Sequence, residues 1–131
     1  MIGSSPYRFH KDNRLLDAAA YERVFKKATR SRDKWFTVLC RENSNEAARL
    51  GLAISKKHCR AATTRNRIKR IVRESFRLNQ AMLAGLDVIV INQPAARTGN
   101  NRQLFDSLHG HWQKCEKTTA DQGAQEQGKD G

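Results

Sequence analysis

RLGLAISKKHCRAATTRNRIKRIVRESFR, residues 49–77, is the stretch from which the architecture follows. RLGLAIS, 49–55, alternates apolar and small residues and reads as a strand. SKKHCRAATT is a basic connector. Thr63 or Thr64 offers an N-cap hydroxyl to a long helix that runs to about Ala84, where Gly85 stops it. Twenty residues of helix span roughly 30 Å, and successive side chains turn by about 100°. Ile68, Ile71, Val72, Phe76, Met82 and Leu83 then fall on one side. Lys69, Arg70, Arg73 and Arg77 fall on the other, with Asn66 among them. The apolar side is built to dock on a sheet, and the basic side projects from it as a stripe.

Working outward, LDVIVIN, 86–92, is nearly all apolar, which marks a central strand buried on both faces. Pro94 ends it. Asn100 or Asn101 opens a last helix, in which Leu104, Leu108, His111, Trp112 and Cys115 share a face. On the other flank, WFTVLCR, 35–41, is a strand by its β-branched and aromatic content. A short polar turn joins it to 49–55, so these two strands are expected to pair antiparallel. DAAAYERVFKKA reads as a first helix with Asp17 as N-cap, and RSRD, 30–33, breaks it. The order is α-β-β-α-β-α, an α+β sandwich with helices on a small sheet. Residues 1–13 read as a loose arm and 14–115 as the folded domain. Residues 116–131 lack any aromatic or large aliphatic side chain and read as a disordered polar tail.

The net charge is +12. The tail holds four acids against two lysines, so residues 1–115 carry +14. A folded domain with that excess repels itself unless a polyanion relieves it, and nucleic acid is the foremost polyanion. No run of 18 apolar residues is present, so no transmembrane helix is expected. MIGSSPYRFHKDNR has no apolar signal core, and a cytoplasmic protein is the default. Three cysteines without paired spacing, Cys40, Cys59 and Cys115, argue against a disulfide framework. Cys40 reads as a small core residue.

The charge is densest where a helix should resist it. Arg65 and Arg67 stand in the first turn of the long helix, at its partially positive end. Nine Lys and Arg lie between Lys56 and Arg77, against one acid, Glu74. A solvated face usually mixes signs and uses i,i+4 pairs. Arginine outnumbers lysine six to three there, and its planar fork fits phosphate oxygens. Unpaired N–H groups at a helix start favour anions as well. The pattern points to nucleic-acid binding by the α+β domain of residues 14–115, which the family resemblance below makes an RNA-binding one.

RNRIKRIVRESFR closely resembles the signature of the bacterial ribonuclease P protein component. RLGLAISKK resembles that family's strand-plus-lysine segment, and RFHKDNRLLDAAAYERVF its arm and first helix. LDVIVIN and RQLFDSLHGHWQK resemble its last long strand and final helix. The likeness covers about residues 7–115 in order.

The resemblance implies a protein that binds a large catalytic RNA and assists removal of the 5′ leader from precursor tRNA. It implies that the RNA carries the chemistry with Mg²⁺, and that the crossover through the long helix is left-handed, against the usual rule. Arg65, Asn66, Arg67, Lys69 and Arg70 would contact the catalytic RNA, with Arg73 beside them. Lys56 and Lys57 would lie near RNA at a cleft edge. Tyr21, Phe25 and Phe36 would line the leader cleft, where aromatic faces stack on unpaired bases with little sequence preference. Core packing is the other reading of these aromatics, since either Trp35 or Phe36 must point inward. The connector HCRAATT lacks the glycine many members have there, and Asn92, Gln93 and Pro94 stand where members often carry basic residues.

Two other readings compete. A protein-only metal nuclease would need clustered carboxylates or histidines, and His109, His111 and Cys115 are the best local candidates. His111 and Cys115 share a helical face that His109 does not. No Ser/His/Asp motif stands out, so no catalytic residue and no metal ligand is assigned, and the protein alone is not expected to cut RNA. A structural RNA-binding protein of ribosomal type fits the composition equally well. No feature calls for an obligatory protein partner or a membrane.

Overall fold

Leu86–Asn92 is a run of aliphatic and β-branched residues that only a doubly covered strand can bury, and the sheet is organised around it. The computed structural model describes the backbone of residues 18–43 and 47–128 and the side chains of residues 22–43 and 47–117. In chain order its elements are α1 (Ala18–Lys26), β1 (Thr29–Arg32), β2 (Phe36–Glu42), β3 (Arg49–Ala53), α2 (Ala62–Leu78), β4 (Leu86–Asn92), a 3-10 turn (Pro94–Thr98) and α3 (Asn101–Gly128). The 1–13 arm and the Asp17 cap lie outside the described residues.

The sheet order is β1-β2-β4-β3. β4 is central, as its composition predicts. The expected pairing of the two preceding strands is corrected: β4 lies between β2 and β3, antiparallel to the first and parallel to the second. The reason is burial. Residues Phe36 to Cys40 of β2 are all buried, so β2 too needs a neighbour on each side. β1 supplies the other one, over a segment the sequence reading takes as a break. Asp33 makes that hairpin. Its Oδ1 accepts from the amides of Trp35 and Phe36 at 2.8 and 2.9 Å, which is the usual turn chemistry of aspartate.

Strand alternation divides the core. On one face Phe36, Val38, Cys40, Leu50, Val88 and Val90 pack against Ile68, Ile71, Val72 and Phe76 of α2 and Leu104, Leu108 and Trp112 of α3. On the other face α1 lays Val24 on Leu39 and Ile89. α2 ends at Leu78, earlier than expected, and Leu83 reaches the core from the following turns. Gly85, at φ 83°, then redirects the chain into β4. Asn100 caps α3 reciprocally with Gln103: each side chain accepts from the other's backbone N–H, at 2.8 and 3.0 Å. All five residues assigned to the inner face of α3 are buried. The helix runs on through Gly128, into the stretch expected to be disordered. No proline follows Cys115 to stop it, and extending a formed helix costs little.

Candidate nucleic-acid interface

α2 begins without a side-chain cap. Its N-cap position is Ala61, not Thr63 or Thr64, and its first turn holds no acid. The N–H groups there lack the oxygen a capping residue would bring. Because the helix starts at Ala62, Arg65 closes the first turn and Arg67 falls in the second rather than the first, and neither stands as a bare charge. Arg65 Nη1 donates to the carbonyls of Cys59 at 3.1 Å and Arg60 at 2.7 Å, folding the connector back onto the helix. Arg67 donates from Nη2 to Gly99 O at 2.8 Å and from Nη1 to Asn101 Oδ1 at 2.7 Å. Carbonyl dipoles therefore offset much of the charge at the helix start. A Cβ on Gly99 would stand 2.8 Å from side-chain atoms of Trp35 and Leu104, so the chain packs closely there.

Further round the helix, Asn66, Arg70 and Arg73 are exposed and Lys69 is half-buried, opposite Ile68, Ile71 and Val72. Lys56 and Lys57 are exposed on the connector that leads into the same end of α2. The predicted basic stripe thus exists as one surface, in which Arg65, Arg67, Lys69 and Arg77 are half-buried, Arg65 and Arg67 donate to carbonyls and Arg77 pairs with Glu74.

The other predicted surface is the sheet face under α1. Phe25 is 53% exposed beside it. Tyr21 belongs to α1, with its side chain outside the described ones. Phe36 is corrected: it is fully buried in the core on the opposite face and cannot line a cleft under α1. Trp35 does not replace it, because it packs on that same core and against the site of Gly99. At one end of the open face a polar cavity of about 240 Å³ is lined by Arg23, Arg41, Asn43, Arg49 and Asp87, among others. Arg41 Nη1 donates to Arg23 O at 2.8 Å, closing the C-terminal end of α1. Arg49 donates from Nε and Nη2 to the two carboxylate oxygens of Asp87, both at 2.8 Å. At the other end of β4, Asn92, on the sealed face opposite Phe36, accepts from Ser55 N at 2.7 Å, and Gln93 donates to Thr37 Oγ1 at 2.6 Å. The polar residues after β4 thus stitch strands together.

The metal-nuclease candidates separate. His109 is exposed. His111 is buried, and the sulfurs of Cys115 and Cys40 are bonded across the core, tying α3 to β2 where no disulfide was expected. Among the described residues no group of three His, Cys, Asp or Glu is gathered to hold a metal ion. The fold does assemble a Ser–His–Asp set unseen in the sequence. Ser31 Oγ and His111 Nδ1 are 2.6 Å apart, and His111 Nε2 lies 3.2 Å from Asp33 Oδ2. The Ser31 hydroxyl and His111 Nδ1 share a hydrogen bond, while His111 Nε2 is near Asp33 without forming one. Ser31 and His111 are buried, so no substrate reaches that hydroxyl, and the set is a strut between β1 and α3. Burial holds His111 below the ordinary histidine value against the pull of Asp33. Burial would raise Asp33, but the Ser107 hydroxyl and the Phe36 and Trp35 amides outweigh it and hold the carboxyl low.

The fold and sequence have known relatives. The family model for ribonuclease P matches residues 9–116. The chain is 47% identical over 106 residues to the ribonuclease P protein component of Methylococcus capsulatus, covering 81% of this chain and 83% of that protein. It is 41% identical over 113 residues to that of Vibrio cholerae, covering 86% and 96%. Among solved structures, a Staphylococcus aureus RNase P protein mutant superposes with a TM-score of 0.74 at 33% identity, covering 82% of this chain and 90% of that one. The RNase P protein of Thermotoga maritima gives 0.69 at 28%, covering 77% and 96%. From the match over residues 9–116 and these relatives, the chain belongs to the ribonuclease P protein family.

Proposed function

We propose that this subunit of the ribonuclease P endoribonuclease works through two surfaces, one for the catalytic RNA and one for the 5′ leader of precursor tRNA. The observation that carries this reading is the stripe on α2. Asn66, Arg70 and Arg73 are exposed beside Lys69 and an uncapped helix start, and the docked apolar face holds all of them rigidly. Arg65 and Arg67 fix the connector and α3 against that start. They meet RNA with the guanidinium N–H groups not directed at carbonyls, since each guanidinium has five. Lys56 and Lys57 extend the stripe toward the sheet face.

The second surface is the sheet face under α1, with Phe25 as its exposed aromatic. Stacking on a ring tolerates any base, which suits a leader of variable sequence. In this reading the catalytic RNA carries the hydrolysis with Mg²⁺, and the protein's part is to bind and position. No helix among the described residues is long and apolar enough to cross a membrane.

Cleavage of precursor tRNA at low Mg²⁺ tests this, with the cognate catalytic RNA alone, the protein alone, and both together. Efficient cleavage at the mature 5′ end is expected from the mixture only. Cleavage by the protein alone would refute the division of labour, and no effect of the protein on the RNA would refute the accessory role.

A further inference from the structure

Arg30 and Arg32 fall within a segment that reads in sequence as a mere break. In the structure they occupy the edge strand β1, and both are exposed. Their direction follows from register. Arg30 lies opposite Leu39, and Arg32 opposite Thr37. Directly opposed residues point to the same face. Leu39 packs under α1 with Ile89, so both arginines border the open face, while Ser31 between them points the other way to His111. The same registers carry the row Arg32–Thr37–Ile91–Ala53 and the row Arg30–Leu39–Ile89–Gly51 across the sheet. The far edge is thus small and the near edge doubly cationic; α1 covers Leu39 and Ile89, which leaves Ile91 and Ala53 as the half-open apolar floor.

The other arginines of this face are already engaged, Arg41 with Arg23 O and Arg49 with Asp87. Among the described residues neither Arg30 nor Arg32 has an acidic partner. Alternate residues of a strand stand about 7 Å apart, a spacing that lets two guanidinium groups follow an extended sugar–phosphate backbone. We propose that Arg30 and Arg32 are the phosphate-holding wall of the leader cleft, gripping successive leader phosphates while the bases face Phe25 and the half-buried Ile91 and Ala53. This rests on the leader reading above and adds the residues that grip its backbone.

The test uses the reconstituted holoenzyme, with the protein as wild type, as Arg30→Gln/Arg32→Gln and as Arg30→Lys/Arg32→Lys. Binding is measured across a salt series for precursor tRNA with a long leader and for mature tRNA. The glutamine variant should lose about tenfold in precursor affinity per phosphate contact. Its slope of log K against log salt should flatten by roughly 0.7 per phosphate. Mature tRNA binding and assembly with the catalytic RNA should be unchanged, and the lysine variant should recover most of the slope. If the glutamine variant binds both RNAs as wild type does, the proposal fails and the arginines serve only to guard the β1 edge against pairing with another sheet. An equal loss for both RNAs also overturns it. If wild type itself does not distinguish precursor from mature tRNA, the leader reading fails first.

Discussion

The two faces of the sheet are built from one set of strands and finished differently. One is sealed by α2 and α3, which bury Phe76, Leu104, Leu108 and Trp112 against Phe36, Val38, Val88 and Val90. The other is covered only by the short α1, through Val24 on Leu39 and Ile89. Residues that would add to a core there stay at the surface, Phe25 above all. Most of the folding stability therefore resides on one face, which leaves the other free to bind. α2 repeats the division within one helix: Ile68, Ile71, Val72 and Phe76 anchor it, and its opposite side carries the exposed Asn66, Arg70 and Arg73.

The comparison is broken hardest at Trp112. It is fully buried, makes an edge-on contact with Phe76 and donates to Ser75 Oγ at 2.8 Å. Trp112→Ala should cost about 3–5 kcal/mol, read from urea unfolding, and should reduce activity only through the folded fraction. Phe25→Ala sharpens the contrast from the open face. Its unfolding free energy should stay within about 0.5 kcal/mol of wild type. Leader-bearing precursor should bind more weakly by about 1–3 kcal/mol in the holoenzyme, with assembly unaffected. A large stability loss in Phe25→Ala would make the second face a core like the first.

The smallest effect is a pH dependence centred on the sealed side. His111 is held low in the folded state, so the unfolded chain takes up its proton first as pH falls. Stability should decline as pH drops through the ordinary histidine range near about 6.5. Asp33 is also held low, so its contribution persists above the ordinary aspartate value near about 3.9 and is lost as pH falls through its folded value. Unfolding measured from pH 8 down to pH 3 should show both steps in the same direction, and His111→Gln should remove the upper one.

The legible parts of the fold were those with a strong period or a strong local signal. The apolar side of α2, the five buried residues of α3, the Asn100 or Asn101 start and the central place of Leu86–Asn92 all follow from side-chain spacing and composition. Of the candidate site, the basic stripe was legible because it lies on one helix. The leader surface was less so, because only the packed sheet shows that Phe36 and Trp35 both turn to the sealed core.

What the sequence determined by itself is therefore the set of elements with internal periodicity, the family and the polyanion-binding character, since these depend on neighbours along the chain. What tertiary structure alone decided involves residues far apart in it. It inserted β4 between β2 and β3 and made a strand of TRSR, which has little β-propensity and gains its place from pairing with β2. It buried Phe36, joined Cys40 to Cys115, and turned Arg65 and Arg67 toward carbonyls that offset their charge. Those outcomes depend on which backbone groups and faces remain unsatisfied once the chain is packed, and no local pattern carries that information.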